Sequence, residues 1–166
     1  MRDDPARLAQ LRSLLILDSS PQRAYDDITR LLATALAVPI SMVNLLDAQR
    51  DWFKSCVGLP QTQSSAATSF CEAFFNTGDD VIVAEDTLHD ERFRQHPLVA
   101  GAPFIRFYAA ARLSLNGHTV GTLCAYDLQP HRVTAEQLDQ LRTMAGAVVE
   151  LLGRRAAGGV ALADDA

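Results

Sequence analysis

The side chains of this sequence that could perform chemistry do not form a recognisable catalytic motif. There is no glycine-rich phosphate loop, no Gly-x-Ser-x-Gly turn and no pair of carboxylates at the end of a predicted strand. The cysteines Cys56, Cys71 and Cys124 are widely separated, and Glu85 and His89, four residues apart, are too weak a pair to indicate a metal site. We therefore predict no catalytic centre, no metal centre and reduced thiols.

Arg106 and Tyr108 are candidates for an anion-binding site. They share one face of a strand predicted at residues 105–115, because side chains alternate along a strand. The apolar residues of that strand share the other face: Phe107, Ala109, Ala111, Leu113 and Leu115. A buried arginine needs a partner, which is either the carboxylate or phosphate of a ligand or an internal acid such as Asp86 or Asp127. The internal salt bridge is the simpler of these two alternatives.

Two further side chains could contact a ligand. Trp52 is the only tryptophan and offers a stacking surface for a flat molecule, or else it anchors the core. Only one of Trp52 and Phe53 can face a given side of their strand. Cys71 lies near a predicted helix start, where a thiolate is favoured, so it could attach a chromophore or sense oxidants; a buried structural cysteine is the alternative.

Two helices are predicted before the first strand. Asp4 and Pro5 supply an N-cap and a preferred first residue for the first helix. Its apolar stripe has helical spacing: Leu8, Leu11 and Leu15. The second helix ends before Val38 and Pro39. Its stripe is similarly spaced: Tyr25, Ile28, Leu32 and Leu36.

The rest of the chain reads as two hairpins, a short middle region and a final helix. The first hairpin pairs 40–46 with 52–57, and the second pairs 105–115 with 118–127 through a tight Asn-Gly turn. Between them we predict a loop from residue 58, a short helix at 69–76 and a strand at 81–83.

The final helix begins at a capping box formed by Thr134 and Gln137 and ends at Gly153. Residues 1–152 are thus expected to form one domain and 153–166 a flexible tail or linker remnant. The order of elements predicts an α+β fold, in which a central antiparallel sheet of five to six strands carries terminal helices on one face and a loop-covered pocket on the other.

Three segments, residues 39–59, 90–113 and 117–132, resemble the GAF domains found ahead of bacterial diguanylate cyclases and histidine kinases. The resemblance implies a pocket beneath the middle loops and a homodimer formed through terminal helices. Members of the family bind cyclic nucleotides, tetrapyrroles, haem, amino acids and other metabolites, so it names no cofactor. Where relatives follow Ser-Phe-Cys with a small residue and a histidine, this chain has residues 72–75, whose Phe74 and Phe75 suggest a more apolar or a filled cavity.

Composition excludes several classes of function. Net charge is -5 with scattered basic residues, which gives no footprint for nucleic acid, and the longest apolar run near the start is too short for a signal peptide or a membrane span. We therefore expect a cytoplasmic domain that acts neither on nucleic acid nor in a membrane. Whether the chain is complete or a fragment stays open.

Three functions remain open. The first is a bacterial sensor domain in which an unidentified small molecule acts through the terminal helices of a dimer on an output domain or on a partner kinase or cyclase. The second is a free methionine sulfoxide reductase, although the cysteine spacing does not resemble that of such enzymes. The third is a ligand-free dimerisation module. The candidate pocket residues are Trp52, Cys71, Phe74, Asp86, Arg106, Tyr108 and Asp127.

Overall fold

The structure, a computed structural model, describes residues 1–158 of the 166-residue chain. Its centre is a six-stranded sheet in which every neighbouring pair of strands is antiparallel, in the order β3-β2-β1-β6-β5-β4. The strands are β1 (Ile40–Leu46), β2 (Arg50–Val57), β3 (Gln63–Ser65), β4 (Val81–Ala84), β5 (Phe107–Leu115) and β6 (His118–Asp127). The α+β fold predicted from the sequence is confirmed.

Within residues 1–158, four α-helices and three short 3-10 helices accompany the sheet. The α-helices are α1 (Pro5–Ser13), α2 (Arg23–Leu36), α3 (Pro97–Ala100) and α4 (Ala135–Gly158), and the 3-10 helices are Ala66–Thr68, Phe70–Asn76 and Thr87–His89. Asp4 caps α1 as predicted, because its side chain accepts a hydrogen bond from the Arg7 amide at 2.9 Å. The predicted place of Leu15 in the apolar stripe is wrong: α1 ends before it, its φ is 51°, and Leu14 is buried instead.

Both predicted hairpins are present. At the β5–β6 turn, Asn116 and Gly117 have φ values of 52° and 80°, as a type I′ turn requires. The β1–β2 connection is shorter than predicted, because β2 begins at Arg50, whose carbonyl accepts a hydrogen bond from the Asp47 amide at 2.9 Å. Strand β3 was not predicted. Its three residues are exposed and polar, so the sequence carries no alternation that would reveal it.

The two faces of the sheet carry separate cores. On the helix face, strand residues such as Val43, Trp52, Phe107 and Leu123 pack against the helices α1, α2 and α4. The small side chains of Ala109 and Ala111 lie on this face, where α4 packs closely on β5. On the loop face, the sheet is covered by the 3-10 helix Phe70–Asn76 and by residues 93–105. The buried core residues of that face are Ile40, Met42, Leu46, Phe53, Phe70, Cys71, Phe74, Ile82, Ala84, Phe93, Val99, Ile105, Tyr108, Ala110, Cys124 and Tyr126.

The last helix is longer than predicted. Thr134 and Gln137 form the expected capping box with reciprocal bonds of 2.9 and 3.1 Å, but the helix continues through Gly153 to Gly158. A helical glycine costs only about 1 kcal/mol relative to alanine, and Arg155, 2% exposed, fastens the extra turns by donating to the Leu14 carbonyl at 2.7 Å. The boundary predicted at residue 152 therefore falls inside a helix, and residues 159–166 of the predicted tail lie outside the described residues.

Candidate ligand-binding site

A cavity of about 190 Å³ lies on the loop face of the sheet. Its walls are apolar side chains from β1, β2, β6 and the covering loops: Ile40, Met42, Phe53, Leu59, Phe70, Leu98, Pro103, Ile105 and Tyr126. The remaining lining residues are polar: Asn44, Asp51, Gln61, Ser64, Thr68 and Ser69. A hydrophobic enclosure with a few convergent polar groups is the usual form of a small-molecule site.

The buried polar end of the cavity is built around Asn44 and Asp51, which are 1% and 2% exposed. Asn44 Nδ2 donates to Asp51 Oδ2 at 3.1 Å, and the Ser69 hydroxyl donates to the same carboxylate oxygen. The other amide atom, Asn44 Oδ1, is buried and has no hydrogen-bond partner within the described residues. A buried carbonyl oxygen without a partner costs free energy, so this atom is the natural contact for a ligand donor.

Strand geometry places Asn44 at this position. A register shift between Val43 and Asn44 interrupts the pairing of β1 with β2. On the other side of β1, a Cβ atom at Gly121 of β6 would lie 2.3 Å from the backbone carbonyl oxygen of Asn44. Only glycine therefore permits the close approach of β1 and β6 at this point.

Arg2 connects the chain before α1 to this polar end. Its Nη2 lies 2.9 Å from Asp51 Oδ1 and its Nε donates to Glu72 at 2.8 Å. A third bond of 2.8 Å goes from Nη1 to the Asp47 carbonyl. Burial lowers the pKa of Arg2, but the carboxylates of Asp51 and Glu72 outweigh it and raise the pKa overall. The Asp51 charge is thus paired inside the protein.

Cys71 lies behind Asn44 in a buried cluster. Its Sγ is 3.0 Å from Thr122 Oγ1, 3.2 Å from the Tyr108 hydroxyl and 3.6 Å from Asn44 Nδ2. Burial raises the pKa of Cys71, but hydrogen bonds with Cys124, Thr122 and Tyr108 lower it overall. Burial and the neighbouring Cys71 raise the pKa values of Tyr108 and Cys124 well above their ordinary ranges. This cluster joins the cavity to the centre of the sheet.

A second hollow, of about 490 Å³, lies beside the 3-10 helix Phe70–Asn76. It carries both signs of charge from Glu72, Asp79 and Arg92, and the Arg92 guanidinium is already held by Asp90 at 2.6 Å. None of the described residues that line this hollow has a buried polar atom without a partner. The smaller cavity is therefore the better candidate.

The predicted pocket residues Trp52, Cys71, Phe74 and Tyr108 lie on different faces of the sheet, and none of them lines the cavity. Placing Trp52 at the pocket was wrong, because Trp52 belongs to the helix-face core and its neighbour Phe53 lines the cavity. Cys71, Phe74 and Tyr108 do lie in the loop-face core, but none of the three lines the cavity.

The predicted charged site around Arg106 is not formed. Arg106 precedes β5 and donates to the Val99 carbonyl at 2.9 Å, with no carboxylate at ion-pair distance among residues 1–158. Asp86 instead accepts from the Leu88 amide at 3.1 Å. Asp127 pairs with His131, a spacing of four residues that the sequence analysis did not consider. Backbone carbonyls, which no sequence pattern reveals, took the place of the expected acid.

The polar residues that do line the cavity were missed, although one signal was present. Asn44 lies in a strand whose other residues are apolar except Ser41, and the whole strand is buried. A buried polar side chain in such a strand indicates a partner or a function. Asp51 and Ser69 carried no such signal, because they were assigned to a turn and to a helix start.

Metal and membrane sites are not indicated in the described part of the chain. Residues 1–158 contain no group of three or more histidine, cysteine or acidic side chains placed to hold a metal ion. None of the helices described in that range combines the length and the apolar character that a bilayer span needs.

Comparison with known proteins identifies the family. The sequence profile of the GAF domain family matches residues 20–151, and the chain belongs to that family. A cyclic di-GMP phosphodiesterase of Pseudomonas aeruginosa is 35% identical over 136 residues, which are 81% of this chain but only 23% of that protein. The chain thus spans about a quarter of the length of this relative.

Solved structures show the same fold. The GAF domain of the phosphoenolpyruvate-protein phosphotransferase of Acinetobacter has a TM-score of 0.67 at 18% identity, over 95% of this chain and 98% of that one. The type II free methionine-R-sulfoxide reductase of Thermoplasma acidophilum has a TM-score of 0.61 at 12% identity, over 79% of this chain and 93% of that one. At these identities the likeness concerns the fold alone.

Proposed function

We propose that this chain is a small-molecule-sensing regulatory domain of bacterial signal transduction. The observation that carries the proposal is the mostly apolar loop-face cavity, whose lining includes Asn44, a residue with a buried acceptor, Oδ1, that has no partner in the described residues. A ligand that donates a hydrogen bond to this atom removes a desolvation cost that the empty protein bears. Binding there favours the ligand-bound arrangement of the covering loops.

The proposed signal passes from the cavity to the terminal helices of a homodimer. Asp51 lines the cavity and is ion-paired with Arg2, so the chain before α1 directly contacts a cavity residue. At the other end, Arg155 of α4 holds the carbonyls of Leu14 and Leu15 just after α1. A shift of Asp51 on binding would therefore change contacts of the helices that lead out of the domain.

The output of the signal lies outside this domain. The relative from Pseudomonas aeruginosa is named for cyclic di-GMP phosphodiesterase activity, and 77% of its length lies outside the match, since the chain covers 23% of it. We propose by analogy that this GAF domain regulates an output domain or a partner that makes or degrades a signalling nucleotide or phosphorylates a protein.

We further propose that the domain itself does not catalyse a reaction. The fold is shared with a methionine sulfoxide reductase, and Cys71 and Cys124 interact with each other, but both thiols are 0% exposed and neither lines the cavity. A reactive thiol needs access to its substrate. Thiol-dependent reduction of free methionine-R-sulfoxide by the purified protein would contradict this proposal.

The ligand-free alternative rests on Phe74 and Phe75, which were expected to fill the pocket. Phe74 lies under the Arg112 guanidinium, 5.1 Å from ring centroid to Cζ, and Phe75 lies under Arg7 at the same distance. Neither ring lines the loop-face cavity. The rings therefore leave that cavity open, which favours the sensor.

A thermal-melting screen against metabolites tests the proposal. A ligand present at 100 times its Kd adds about 2.7 kcal/mol of stability, and each kcal/mol raises Tm by roughly 2–4 °C for a chain of this size. We expect a selective rise in Tm, slower hydrogen exchange in residues 60–104 and a dimer by light scattering. No shift with any compound would contradict the sensor proposal, and a monomer at all concentrations would contradict the coupling.

A further inference from the structure

We propose that the ligand of the loop-face cavity is a compact nitrogen compound that donates N–H hydrogen bonds and carries no negative charge, such as an aromatic amide or a nitrogen heterocycle. This inference rests on the proposed sensing function, since it describes the ligand of the same cavity. It reverses the sign of the charge expected from Arg106 in the sequence.

The lining of the cavity contains no positive charge. Fifteen described residues line it, none of them is lysine, arginine or histidine, and one of them, Asp51, is an acid. A carboxylate or phosphate enclosed by such walls would lose its hydration without gaining an ionic partner. Anionic metabolites are therefore disfavoured as ligands.

Three cationic side chains of this part of the fold are already hydrogen-bonded to other groups. Arg2 is held by Asp51, Glu72 and the Asp47 carbonyl, and it does not line the cavity. Arg106 donates to the Val99 carbonyl, and the Lys54 ammonium donates to the Ser20 carbonyl at 2.6 Å. Moving any of these groups to an anion would break its present bonds.

The orientation of the Asn44 amide decides which kind of polar contact the ligand makes. Asp51 Oδ2 can only accept, so the Asn44 atom 3.1 Å from it must be the donating nitrogen. That assignment leaves the other amide atom of Asn44, the acceptor Oδ1, buried and without a hydrogen-bond partner in the described residues. A ligand N–H satisfies this atom, whereas a ligand carboxylate or phosphate oxygen would be repelled by it.

The volume and the walls of the cavity indicate the size and shape of the ligand apart from its N–H group. Its volume of about 190 Å³ lies below the range of roughly 300–1,000 Å³ that holds drug-sized ligands. Phe53, Phe70 and Tyr126 contribute aromatic surface to the walls. A single flat ring bearing an N–H group fits this description better than a large chromophore or a dinucleotide.

Isosteric amide and acid pairs test the inference: benzamide with benzoate, nicotinamide with nicotinate, and indole-3-acetamide with indole-3-acetate. Saturation-transfer NMR and melting curves of the 166-residue protein measure the binding of both members of each pair. We expect each binding amide to have a Kd at least about 10-fold below that of its acid, as the loss of a buried hydrogen bond predicts.

Each result has one meaning. If an acid binds this cavity as tightly as its amide, or if an anionic metabolite from the broader screen does so, the inference is overturned and the sensor proposal stands. If neither the six probes nor any metabolite binds, the sensor proposal itself fails. If only a metabolite binds, its own charge and N–H groups decide the inference.

Substitution of Asn44 tests whether its side chain contacts the ligand. Asn44→Leu removes the acceptor, and Ser41→Ala is the control, because it removes another buried oxygen of the same strand that does not line the cavity. We expect the first variant to weaken binding of the tightest amide at least about 10-fold and the second to leave it within about threefold. Equal effects would overturn the inference. If Asn44→Leu does not fold, the side-chain amide signals of Asn44 in the unaltered protein must shift with benzamide, and unchanged signals would overturn it.

Discussion

The helix face and the loop face of the sheet use the same strands for different purposes. Val43 and Leu123 point to the helix face, where they belong to the hydrophobic cluster that packs against α1, α2 and α4. Their neighbours Asn44 and Thr122 are also buried but lie with the polar cluster of Cys71. Because side chains alternate along a strand, one residue step separates the hydrophobic cluster of the helix face from a polar site on the loop face.

The difference shows how the domain separates stability from binding. The helix face carries the larger hydrophobic cluster, although the buried Tyr25 hydroxyl there has no partner in residues 1–158. The loop face keeps a cavity and the buried side-chain oxygen of Asn44, both of which reduce stability. Features of this kind persist at functional sites, where the structure around them holds them in place.

The largest effect is expected from truncating one core side chain on each face. Leu123→Ala on the helix face should lower the free energy of unfolding by about 3–5 kcal/mol, since Leu123 is 0% exposed in a close-packed cluster. Met42→Ala on the loop face should cost only about 2 kcal/mol, because Met42 already borders a cavity. Urea unfolding curves measure both.

Leu31→Ala is the control for that pair, since Leu31 is 58% exposed on α2, and it should change stability by less than about 0.5 kcal/mol. Equal losses for Leu123→Ala and Met42→Ala would show that the loop face is packed as closely as the helix face. The proposed contrast between the faces would then be wrong.

Local sequence signals predicted the helix face well. The capping box at Thr134, the Asn-Gly turn and the apolar stripe of α2 each depend on residues a few positions apart, so the sequence alone determines them. The end of α4 could not be predicted in this way, because it depends on Arg155 reaching carbonyls 140 and 141 residues earlier in the chain.

The loop-face site was only partly predictable. The face shared by Arg106 and Tyr108 followed from strand alternation, but Arg106 lies before β5 and donates to the carbonyl of Val99 in α3. The partner of a charged side chain depends on how distant loops fold over the sheet. Asn44 was recognisable as a polar residue in a largely apolar strand, whereas its pairing with Asp51 depends on the register of the β1–β2 hairpin.

A second prediction concerns the hydrogen bonds by which Arg155 holds α4 to the segment after α1. Arg155→Met should lower stability by about 2–3 kcal/mol, because bonds of a charged donor to Leu14, Leu15 and Gln22 are lost and buried acceptors stay unsatisfied. Urea unfolding measures the loss. Arg154→Met, whose side chain is 71% exposed, is the matched control and should change stability by less than about 0.5 kcal/mol.

If Arg155→Met is as stable as the control, the turns of α4 beyond Gly153 contribute nothing to the domain. The boundary near residue 152 that the sequence suggested would then be the better description of its stable unit.

The smallest effect is expected from pH, and it should come from the loop face. His96 packs 4.1 Å from Phe70 between ring centroids, and its Nδ1 accepts a hydrogen bond from the Leu98 amide at 3.0 Å. Burial lowers the pKa of His96, opposed in part by a hydrogen bond with the Thr68 backbone. The folded protein therefore favours the neutral ring.

The unfolded chain binds a proton to this histidine near pH 6.5, whereas the folded protein resists protonation until a lower pH. Between these two values the unfolded state holds more protons, so stability falls as the pH is lowered and levels off below the folded pKa. His96→Asn should keep the cap of α3 and lose less stability than the unaltered protein between pH 7.5 and pH 5.5. Urea unfolding at a series of pH values measures this difference.

His89→Asn is the control, because it removes a histidine whose side chain is 83% exposed and leaves the loop face intact. If His89→Asn reduces the pH dependence as much as His96→Asn does, the effect does not come from packing on the loop face.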